Sequence, residues 1–378
     1  MSRVFFYVQH LLGIGHLRRA AALARALRAG GFDVLLVSGG APIEGLVLNG
    51  VRFHQLPPLR AADESLRDLA RLDGAPVDEA FQRQRIEALL GLLRAETPEV
   101  VITEQFPFGR TRLRFELVPL LEAARALPKR PLIACSVRDV VRRAGPERVA
   151  ETVRLLDCFD TVLIHGDPHL VPFERSFAGW ARIKGRAFYT GYVSERDLAQ
   201  GMQGAEGKDE VVVSVGGGAV GAPLLKAAIA ARPKTALADR TWRLLLGENL
   251  RAQDRVQLAR DEGIVIEPAR ADFTTLLGNA TLSISQAGYN TTIETLCCAD
   301  RAVFVPFATE RETEQADRAQ ALAERGMVAV VPPGMLSAES LADAVARALA
   351  GPSLKSFVAC DVDGGARTAA LLHRLLVR

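Results

Sequence analysis

Short apolar runs alternate with longer segments in which apolar residues recur at helical spacing, and this alternation begins at the first residues of the chain. Residues 4–8 form an apolar run of strand type, residues 17–29 have apolar residues at helical spacing, and residues 32–37 form a second apolar run. Gly30 and Gly31 end the helix between the two runs. A strand, a glycine-containing turn, a helix and another strand indicate a right-handed parallel unit.

The same alternation continues to the end of the chain. In the first half it predicts helices at residues 77–95, 117–127 and 147–156 and strands at residues 99–103, 132–136 and 161–164. In the second half it predicts strands at residues 211–215, 242–246, 264–266, 282–285, 302–305 and 328–331, with helices at residues 223–231, 273–278, 291–296 and 314–325 and two more after them. The strands are short and largely apolar, which is typical of a parallel sheet covered on both faces.

One stretch, residues 185–209, interrupts this order because it is rich in glycine and charge and has no sustained period. The chain therefore divides into a domain at residues 1–192 and a second domain at residues 193–365. Each domain opens with a strand, a glycine-containing turn and a helix. We expect an α/β protein of two Rossmann-like, doubly wound parallel-sheet domains that face a cleft.

Composition narrows the function classes. The 378 residues are 49% hydrophobic and 24% charged, as in an ordinary globular protein, and the net charge of +3 is too small to predict a nucleic-acid partner. No run approaches the roughly 20 apolar residues of a membrane span, and Gln9 and His10 interrupt the first apolar run. The five cysteines have no C-x-x-C spacing, which argues against a zinc site and a disulfide framework. We therefore expect a cytoplasmic protein.

Polar residues follow the first predicted strand at the end where ligands bind in open parallel sheets. Gly13 and Gly15 form a glycine-rich loop, and His16 opens the helix together with Arg18 and Arg19. The loop lacks the third glycine of a dinucleotide fingerprint. His16 is a candidate catalytic base toward an acceptor hydroxyl, because an imidazole titrates near neutral pH; the alternative is a histidine that caps the helix.

The strand at residues 99–103 leads into a second set of candidates. Glu104 is the other candidate catalytic base, and the alternative is a loop carboxylate paired with a neighbouring arginine. Aromatic and basic residues then interleave at Phe106, Phe108, Arg110, Arg112 and Arg114. They predict either an ordinary solvated helix start or a face that meets a membrane surface carrying a lipid-linked acceptor.

In the second domain, two loops follow the predicted strands that open it and lie at its centre. Gly216, Gly217 and Gly218 are not a P-loop, because no Gly-Lys-Ser/Thr follows, but three glycines suit a diphosphate held by backbone amides. The second loop leads into a helix and supplies six candidate ligand contacts: Ser285, Gly288, Tyr289, Asn290, Thr291 and Glu294.

Glu294 lies within the first predicted helical turn, where the helix dipole stabilises a carboxylate that can accept both hydroxyls of a ribose. The alternative is a capping box, since Thr291 and Glu294 have the required spacing. After the strand at residues 302–305, Glu312 and Gln315 offer hydrogen-bonding groups to a polyhydroxyl ligand, or belong to a solvated charged loop.

Several of these motifs together resemble a known family. The segment SQAGYNTTIE, followed by RAVFVPF and EQADRA, resembles the family 28-type donor-binding domain of the UDP-N-acetylglucosamine transferases that complete lipid II. The GIGH loop and the GGG turn match that family's glycine-rich loops. With ITEQFPFGRTRLRFEL at residues 102–117, the chain is still more similar to a little-characterised branch of predicted GT-B glycosyltransferases.

The resemblance implies a GT-B fold whose second domain binds most of the donor. It implies that Glu294 holds the ribose hydroxyls, that residues 216–218 and 288–291 surround the diphosphate, and that Gln315 contacts the donor sugar. It places His16 near the acceptor and the helix at residues 366–378 on the first domain.

Three positions depart from the family pattern. Gln286 stands where the family has a basic residue, so charge for the diphosphate must come from elsewhere. Tyr289 and Asn290 replace small or apolar residues, and the sequence therefore leaves the sugar and the nucleotide open.

The expected reaction moves a sugar from a UDP-sugar to an acceptor hydroxyl, on a lipid-linked or a small-molecule acceptor. No cofactor besides the co-substrate UDP-sugar is expected, and no metal, because helix N-termini and backbone amides can stabilise the leaving UDP. The D-x-D spacing of Asp361 and Asp363 is interpreted as solvated surface. The partners are thus a nucleotide-sugar donor and the acceptor, with at most peripheral membrane association.

Two alternatives use the same site. Hydrolases that remove UDP from a modified amino sugar share the fold and a G-x-G-H-x-x-R loop, in which His16 would handle water. A non-catalytic nucleotide-sugar-binding protein would bind the donor without turnover.

Overall fold

The computed structural model describes residues 1–11, 13–62, 68–194, 198, 204–216, 221–247, 262–309, 312–357 and 359–377. They form two compact units, one of residues 1–195 and 361–378 and the other of residues 196–360. The sequence placed the corresponding changes at residues 192 and 366. Each unit is built on its own parallel sheet.

The first unit opens with the predicted β-loop-α-β order and repeats it. Its strands are β1 (Arg3–Val8), β2 (Asp33–Ser38), β3 (Arg52–Gln55), β4 (Leu59–Ala61), β5 (Leu69–Arg71), β6 (Val100–Glu104), β7 (Leu132–Arg138), β8 (Thr161–His165) and β9 (Ala187–Tyr189). Its helices before the second unit are α1 (Gly15–Ala29), α2 (Glu79–Glu96), α3 (Arg114–Arg125), α4 (Pro146–Leu156) and α5 (Trp180–Ile183), with 3₁₀ turns at Thr111–Leu113, Phe173–Arg175 and Lys184–Arg186.

Seven of these strands form a parallel sheet in the order β3-β2-β1-β6-β7-β8-β9, while β4 and β5 form a small antiparallel ribbon. Alternate residues of the central strand enter different cores: Phe5 and Tyr7 pack on one face of the sheet, and Val4, Phe6 and Val8 on the other. The strands are thus buried on both faces, as their apolar composition predicts.

The second unit repeats the design with a sheet in the order β12-β11-β10-β13-β14-β15, all pairs parallel. Its strands are β10 (Val211–Ser214), β11 (Trp242–Leu246), β12 (Ile264–Pro268), β13 (Leu282–Ser285), β14 (Ala302–Phe304) and β15 (Ala329–Val330). Its described helices are α6 (Ala222–Ala231), α7 (Phe273–Asn279), α8 (Tyr289–Cys298), α9 (Glu314–Ala323) and α10 (Ala338–Ala350), with 3₁₀ turns at Arg232–Lys234 and Leu354–Ser356.

The last helix, α11 (Gly364–Leu376), packs on α1 inside the first unit. The two helices approach closely because small residues face each other: a Cβ added at Gly30 would lie 2.5 Å from the Cβ of Ala369, and one at Gly365 would lie 2.4 Å from the Cβ of Ala26. The ring of His373 stacks on Phe32 with centroids 4.2 Å apart. Among the described helices, none is long and apolar enough to cross a lipid bilayer.

In the segment that leads into α11, Asp363 is exposed, as the interpretation of the D-x-D spacing as solvated surface predicts, but Asp361 is only partly exposed. The carboxylate of Asp361 receives a 2.7 Å ion pair from Arg367, and its backbone oxygen accepts the amide of Tyr192 at 2.7 Å. Val193 and Asp363 form an isolated antiparallel bridge. Asp361 therefore fastens two chain segments of the first unit to each other.

The elements that the sequence failed to predict are short or polar. The edge strand β3 has the sequence RFHQ and exposes its first two residues, so no apolar run marks it. Strands β4, β5 and β9 have three residues each. Such strands depend on hydrogen bonds to a neighbouring strand, which local periodicity does not reveal.

Candidate functional site

The glycine-rich loop of the first unit leads directly into α1, which begins at Gly15 with Ile14 as its N-cap residue and no side-chain cap. His16 is the second residue of the helix, so the interpretation of His16 as a helix cap is wrong. Gly13 and Gly15 flank Ile14 in this turn, and a Cβ added at Gly15 would lie 3.5 Å from a guanidinium nitrogen of Arg138.

His16 and Glu104, which are 88 residues apart in sequence, form a hydrogen-bonded pair. Nδ1 of His16 lies 2.8 Å from Oε1 of Glu104, and the imidazole keeps 17% of its side-chain surface exposed while the carboxylate is buried. Glu104 is the last residue of β6 and lies at the carboxyl edge of the sheet. Arg19, one turn further along α1, donates a hydrogen bond to the same oxygen.

The charges around this pair favour a neutral imidazole and an ionised carboxylate. Burial and the guanidinium of Arg138 hold the pKa of His16 well below its usual range, against the opposite effect of Glu104. Burial by itself would raise the pKa of Glu104, but the hydrogen bond from His16 and the guanidinium groups of Arg19 and Arg110 together hold it well below its usual range. A carboxylate that accepts Nδ1–H leaves Nε2 of the histidine with its lone pair, as proton abstraction requires.

The sequence analysis missed a second buried histidine beside this pair. Both ring nitrogens of His165, the last residue of β8, lie within hydrogen-bond distance of hydroxyls: Nε2 is 2.9 Å from Ser136 and Nδ1 is 2.8 Å from Thr190. Burial holds the pKa of His165 well below its usual range. The sequence does contain a signal for His165, because the apolar strand TVLIH ends in a polar residue, as β6 does.

The loop after β6 is anchored in the protein interior. Phe106 is buried, and Phe108 packs edge-on against the rings of Phe173 and Phe177 at centroid distances of 5.4 and 4.9 Å. Arg110 donates to the backbone oxygen of Gln9 at 2.7 Å. The interpretation of this segment as an aromatic and basic membrane face is therefore wrong, because its aromatic rings belong to the core.

In the second unit, the glycine turn and the start of α8 lie together at the carboxyl edge of the sheet. Ser214 and Ser285 end the paired strands β10 and β13. Gly216 has a φ of 63°, in the left-handed region, and a Cβ added there would lie 3.8 Å from the hydroxyl of Thr291. Gly217 and Gly218 lie outside the described residues.

Helix α8 begins two residues earlier than predicted, at Tyr289, with Gly288 as an N-cap residue in extended conformation and no side-chain cap. The capping-box interpretation of Thr291 and Glu294 is therefore wrong. Glu294 is the sixth residue of the helix, in its second turn, and is 8% exposed. A carboxylate in this position is one turn behind the free backbone amides at the helix start.

The other predicted donor contacts in this loop include buried groups. Tyr289 is 4% exposed, and the guanidinium of Arg318 lies 5.8 Å from its ring centroid. The same guanidinium donates to the backbone oxygen of Ala287 at 2.8 Å. Ser285 Oγ and Asn290 Oδ1 are buried and have no hydrogen-bond partner among the described residues. Arg318, which sequence reasoning missed, therefore holds the backbone of the turn that precedes α8.

Glu312 and Gln315 form hydrogen bonds with backbone amides near the start of α9. Oε1 of Gln315 accepts the backbone amide of Phe307 at 3.1 Å, and Oε1 of Glu312 accepts the amide of Glu314 at 3.1 Å. Within the described part of the chain, no group of three histidine, cysteine or acidic side chains is placed to hold a metal ion.

Comparison with known proteins assigns the second unit. Residues 212–356 match the glycosyltransferase family 28 C-terminal domain. This match lies within the second unit and covers most of it.

The first unit is covered by comparisons over the whole chain. The chain is 26% identical over 336 residues to the UDP-N-acetylglucosamine–N-acetylmuramyl-(pentapeptide) pyrophosphoryl-undecaprenol N-acetylglucosamine transferase of Paraburkholderia xenovorans (strain LB400), covering 87% of this chain and 82% of that one. It is structurally similar to Acinetobacter baumannii MurG, with a TM-score of 0.62, 18% identity and coverage of 98% and 99%. It also resembles the spinosyn rhamnosyltransferase SpnG in complex with thymidine diphosphate, with a TM-score of 0.60, 16% identity and coverage of 100% and 96%.

The protein is therefore a glycosyltransferase enzyme with a GT-B fold, and the predicted fold class is confirmed. The segment that matches the family 28 domain contains Gly216, Ser285, Glu294 and Gln315. The comparisons give no support to a hydrolase.

Proposed function

We propose that this glycosyltransferase moves a sugar from a UDP-sugar to an acceptor hydroxyl, with His16 as the catalytic base. The hydrogen bond between His16 Nδ1 and buried Glu104 carries the proposal, since it leaves Nε2 as a proton acceptor in a partly exposed side chain. The acceptor oxygen bonds to the anomeric carbon as its proton passes to Nε2, and the bond from that carbon to the β-phosphate oxygen breaks, releasing UDP.

The donor side of the proposal rests on the second unit. The start of α8 supplies backbone amides with no side-chain cap, next to the turn at Gly216, and these suit the negative charge of a diphosphate. Glu294 is proposed to accept the ribose hydroxyls. Ser285 Oγ and Asn290 Oδ1 offer further hydrogen-bonding groups. Gln315 is proposed to contact the sugar through its amide nitrogen, because its oxygen accepts Phe307.

The leaving group is proposed to depart without a metal ion, because backbone amides and the helix dipole of α8 stabilise charge that develops on the β-phosphate. The proposed reaction takes place in the cytoplasm, on a lipid-linked or a small-molecule acceptor, with at most peripheral contact to a membrane.

The test is a donor screen. Purified protein is incubated with UDP-, dTDP- and GDP-sugars in the presence of EDTA, and nucleotide release is followed beside calorimetric binding. We expect one UDP-sugar to bind tightly and to release little UDP until an extract containing acceptors is added. Release in the extract should be lost in His16→Ala with donor binding retained, whereas Glu294→Gln should lose donor binding.

Glu339→Gln is the matched control, since Glu339 is an exposed carboxylate of the same unit, and it should behave as the wild type. Rapid UDP release without an acceptor, abolished by His16→Ala, would instead establish the hydrolase. Binding without release in any extract would establish a nucleotide-sugar-binding protein, and release that requires a divalent cation would disprove metal independence.

A further inference from the structure

Arg19 lies behind the proposed base and is among the most deeply buried charged residues of the protein. Its side chain is 1% exposed, although arginine is rarely fully buried without a partner. Its Nη2 donates to Oε1 of Glu104, the same oxygen that lies 2.8 Å from Nδ1 of His16. His16 and Arg19 thus share one carboxylate oxygen of Glu104 as their hydrogen-bond partner.

We propose that Arg19 is a positioning residue that keeps the Glu104 carboxylate ionised, so that His16 carries its proton on Nδ1 and leaves Nε2 free to accept one. The proposal deepens the proposed function, since its catalytic meaning rests on His16 as the base. The tautomer of the His16 ring, which the proposal specifies, can be measured without any substrate.

The need for a cation follows from the burial of Glu104. A carboxylate without water takes up a proton unless a charge or hydrogen bonds favour its ionised form. A protonated Glu104 would donate its own hydrogen to Nδ1, and the ring proton would then have to sit on Nε2. Such a histidine could no longer accept the proton of an acceptor hydroxyl through Nε2.

Other charged groups face this cluster, but they act from different sides. Arg138 at the end of β7 and Arg110 in the loop after β6 both disfavour a charged His16. Cys135 and His165 lie on the neighbouring strands β7 and β8. In both side chains the charge of Glu104 raises the pKa and that of Arg19 lowers it. Arg110 also lowers the pKa of Glu104, but of the two arginines it is Arg19 that donates a hydrogen bond to the carboxylate, beside the one from His16.

The test is ¹⁵N NMR of the histidine rings in the full chain. The ¹⁵N shifts and ring couplings distinguish a ring protonated on Nδ1 from one protonated on Nε2, and the spectrum of His16→Gln assigns the signals of His16. The variants are Arg19→Met, which removes the charge, and Arg19→Lys, which keeps it. Arg28→Met is the matched control, because Arg28 lies in the last turn of the same helix.

In a pH titration we expect the change of His16 from the Nδ1–H to the Nε2–H form to lie about one to three pH units higher in Arg19→Met than in the wild type, Arg19→Lys and Arg28→Met. An unchanged midpoint in Arg19→Met would overturn the proposal, as would an Nε2–H form in the wild type at pH 7.5. Should Arg19→Met fail to fold, Arg19→Gln replaces it, since glutamine keeps a donor but carries no charge, and the same two outcomes apply.

Nucleotide release in the acceptor extract links the tautomer to catalysis. In Arg19→Met the acidic limb of the pH–rate profile should move up by about one to three pH units, the range over which an adjacent cation shifts a carboxyl pKa. A changed tautomer with an unchanged rate would leave Arg19 as a positioning residue but disprove His16 as the base, so the two proposals fail separately.

Discussion

Arg85 and Glu116 lie on the packed helices α2 and α3 of the first unit with fully buried side chains, and two hydrogen bonds of 2.7 Å join guanidinium to carboxylate. The hydroxyl of Tyr7 donates to the same carboxylate. The guanidinium also donates to backbone oxygens of the loops after β2 and β3, including that of Gly39 at 3.2 Å. This ion pair therefore joins α2 and α3 to the loops after β2 and β3.

Breaking this pair should destabilise the protein strongly. Arg85→Met leaves the buried charge of Glu116 without its partner, and the free energy of unfolding in urea should fall by about 3–5 kcal/mol. In the double variant Arg85→Met/Glu116→Leu only part of this loss should be recovered, because the hydroxyl of Tyr7 and the backbone oxygen of Gly39 still lack their partners. Arg83→Met is the control: Arg83 and Glu79 form an exposed pair at 3.6 Å, and its removal should change stability by less than about 1 kcal/mol. Equal losses of stability in Arg85→Met and Arg83→Met would contradict the prediction.

Replacing Glu104 should affect catalysis more than donor binding. In Glu104→Gln the side-chain amide can donate to Nδ1 of His16, which moves the ring proton to Nε2. We expect the rate of nucleotide release in the acceptor extract to fall about 10²- to 10⁴-fold. Donor affinity, measured by calorimetry, should stay within about threefold. Glu99→Gln, at the opposite end of β6, serves as the control, and a comparable loss there would refute a specific role for Glu104.

Acid should destabilise the protein partly through His10. Burial and the guanidinium of Arg110 lower the pKa of His10 to about 4, below the value of about 6.5 in the unfolded chain. The unfolded state therefore binds more protons between these values, and stability falls as the pH drops through this window. At pH 5 this group alone should cost about 2 kcal/mol relative to pH 7. Urea unfolding of His10→Gln should show a drop that is smaller by this amount, and an unchanged drop would contradict the assignment.

Removal of Arg318 should weaken donor binding through the turn that precedes α8. Arg318→Met leaves the backbone oxygen of Ala287 without its 2.8 Å hydrogen bond and removes the cation beside the ring of Tyr289. We expect a loss of about 1–3 kcal/mol in stability and a weaker UDP affinity by calorimetry. Arg325→Met is the control. Arg325 lies just after α9 and donates to the backbone oxygen of Ala321 at 2.9 Å, and the UDP affinity of this variant should match that of the wild type. Unchanged UDP binding in Arg318→Met would show that the turn keeps its shape without this contact.

The sequence determined the order and type of the long elements. The helices and apolar strands follow from local periodicity, because a residue's place on a helix face or a strand face depends on neighbours within about one turn. Alternating strands and helices then imply parallel sheets, and the carboxyl ends of the strands mark where Glu104 and Ser285 emerge. The family resemblance could also be recognised from the sequence, because Gly288, Thr291 and Glu294 occur at fixed spacing within one segment.

The tertiary structure alone decided which side chains meet. Arg19 and His16 could be seen as neighbours on α1, but their shared partner, Glu104, comes 88 residues after His16. The start of α8 at Tyr289 and the contact of Arg318 with Ala287 likewise depend on packing between elements. Local propensity does not contain these contacts, because burial, which makes an unpaired charge costly, arises only when separate elements close around the side chains.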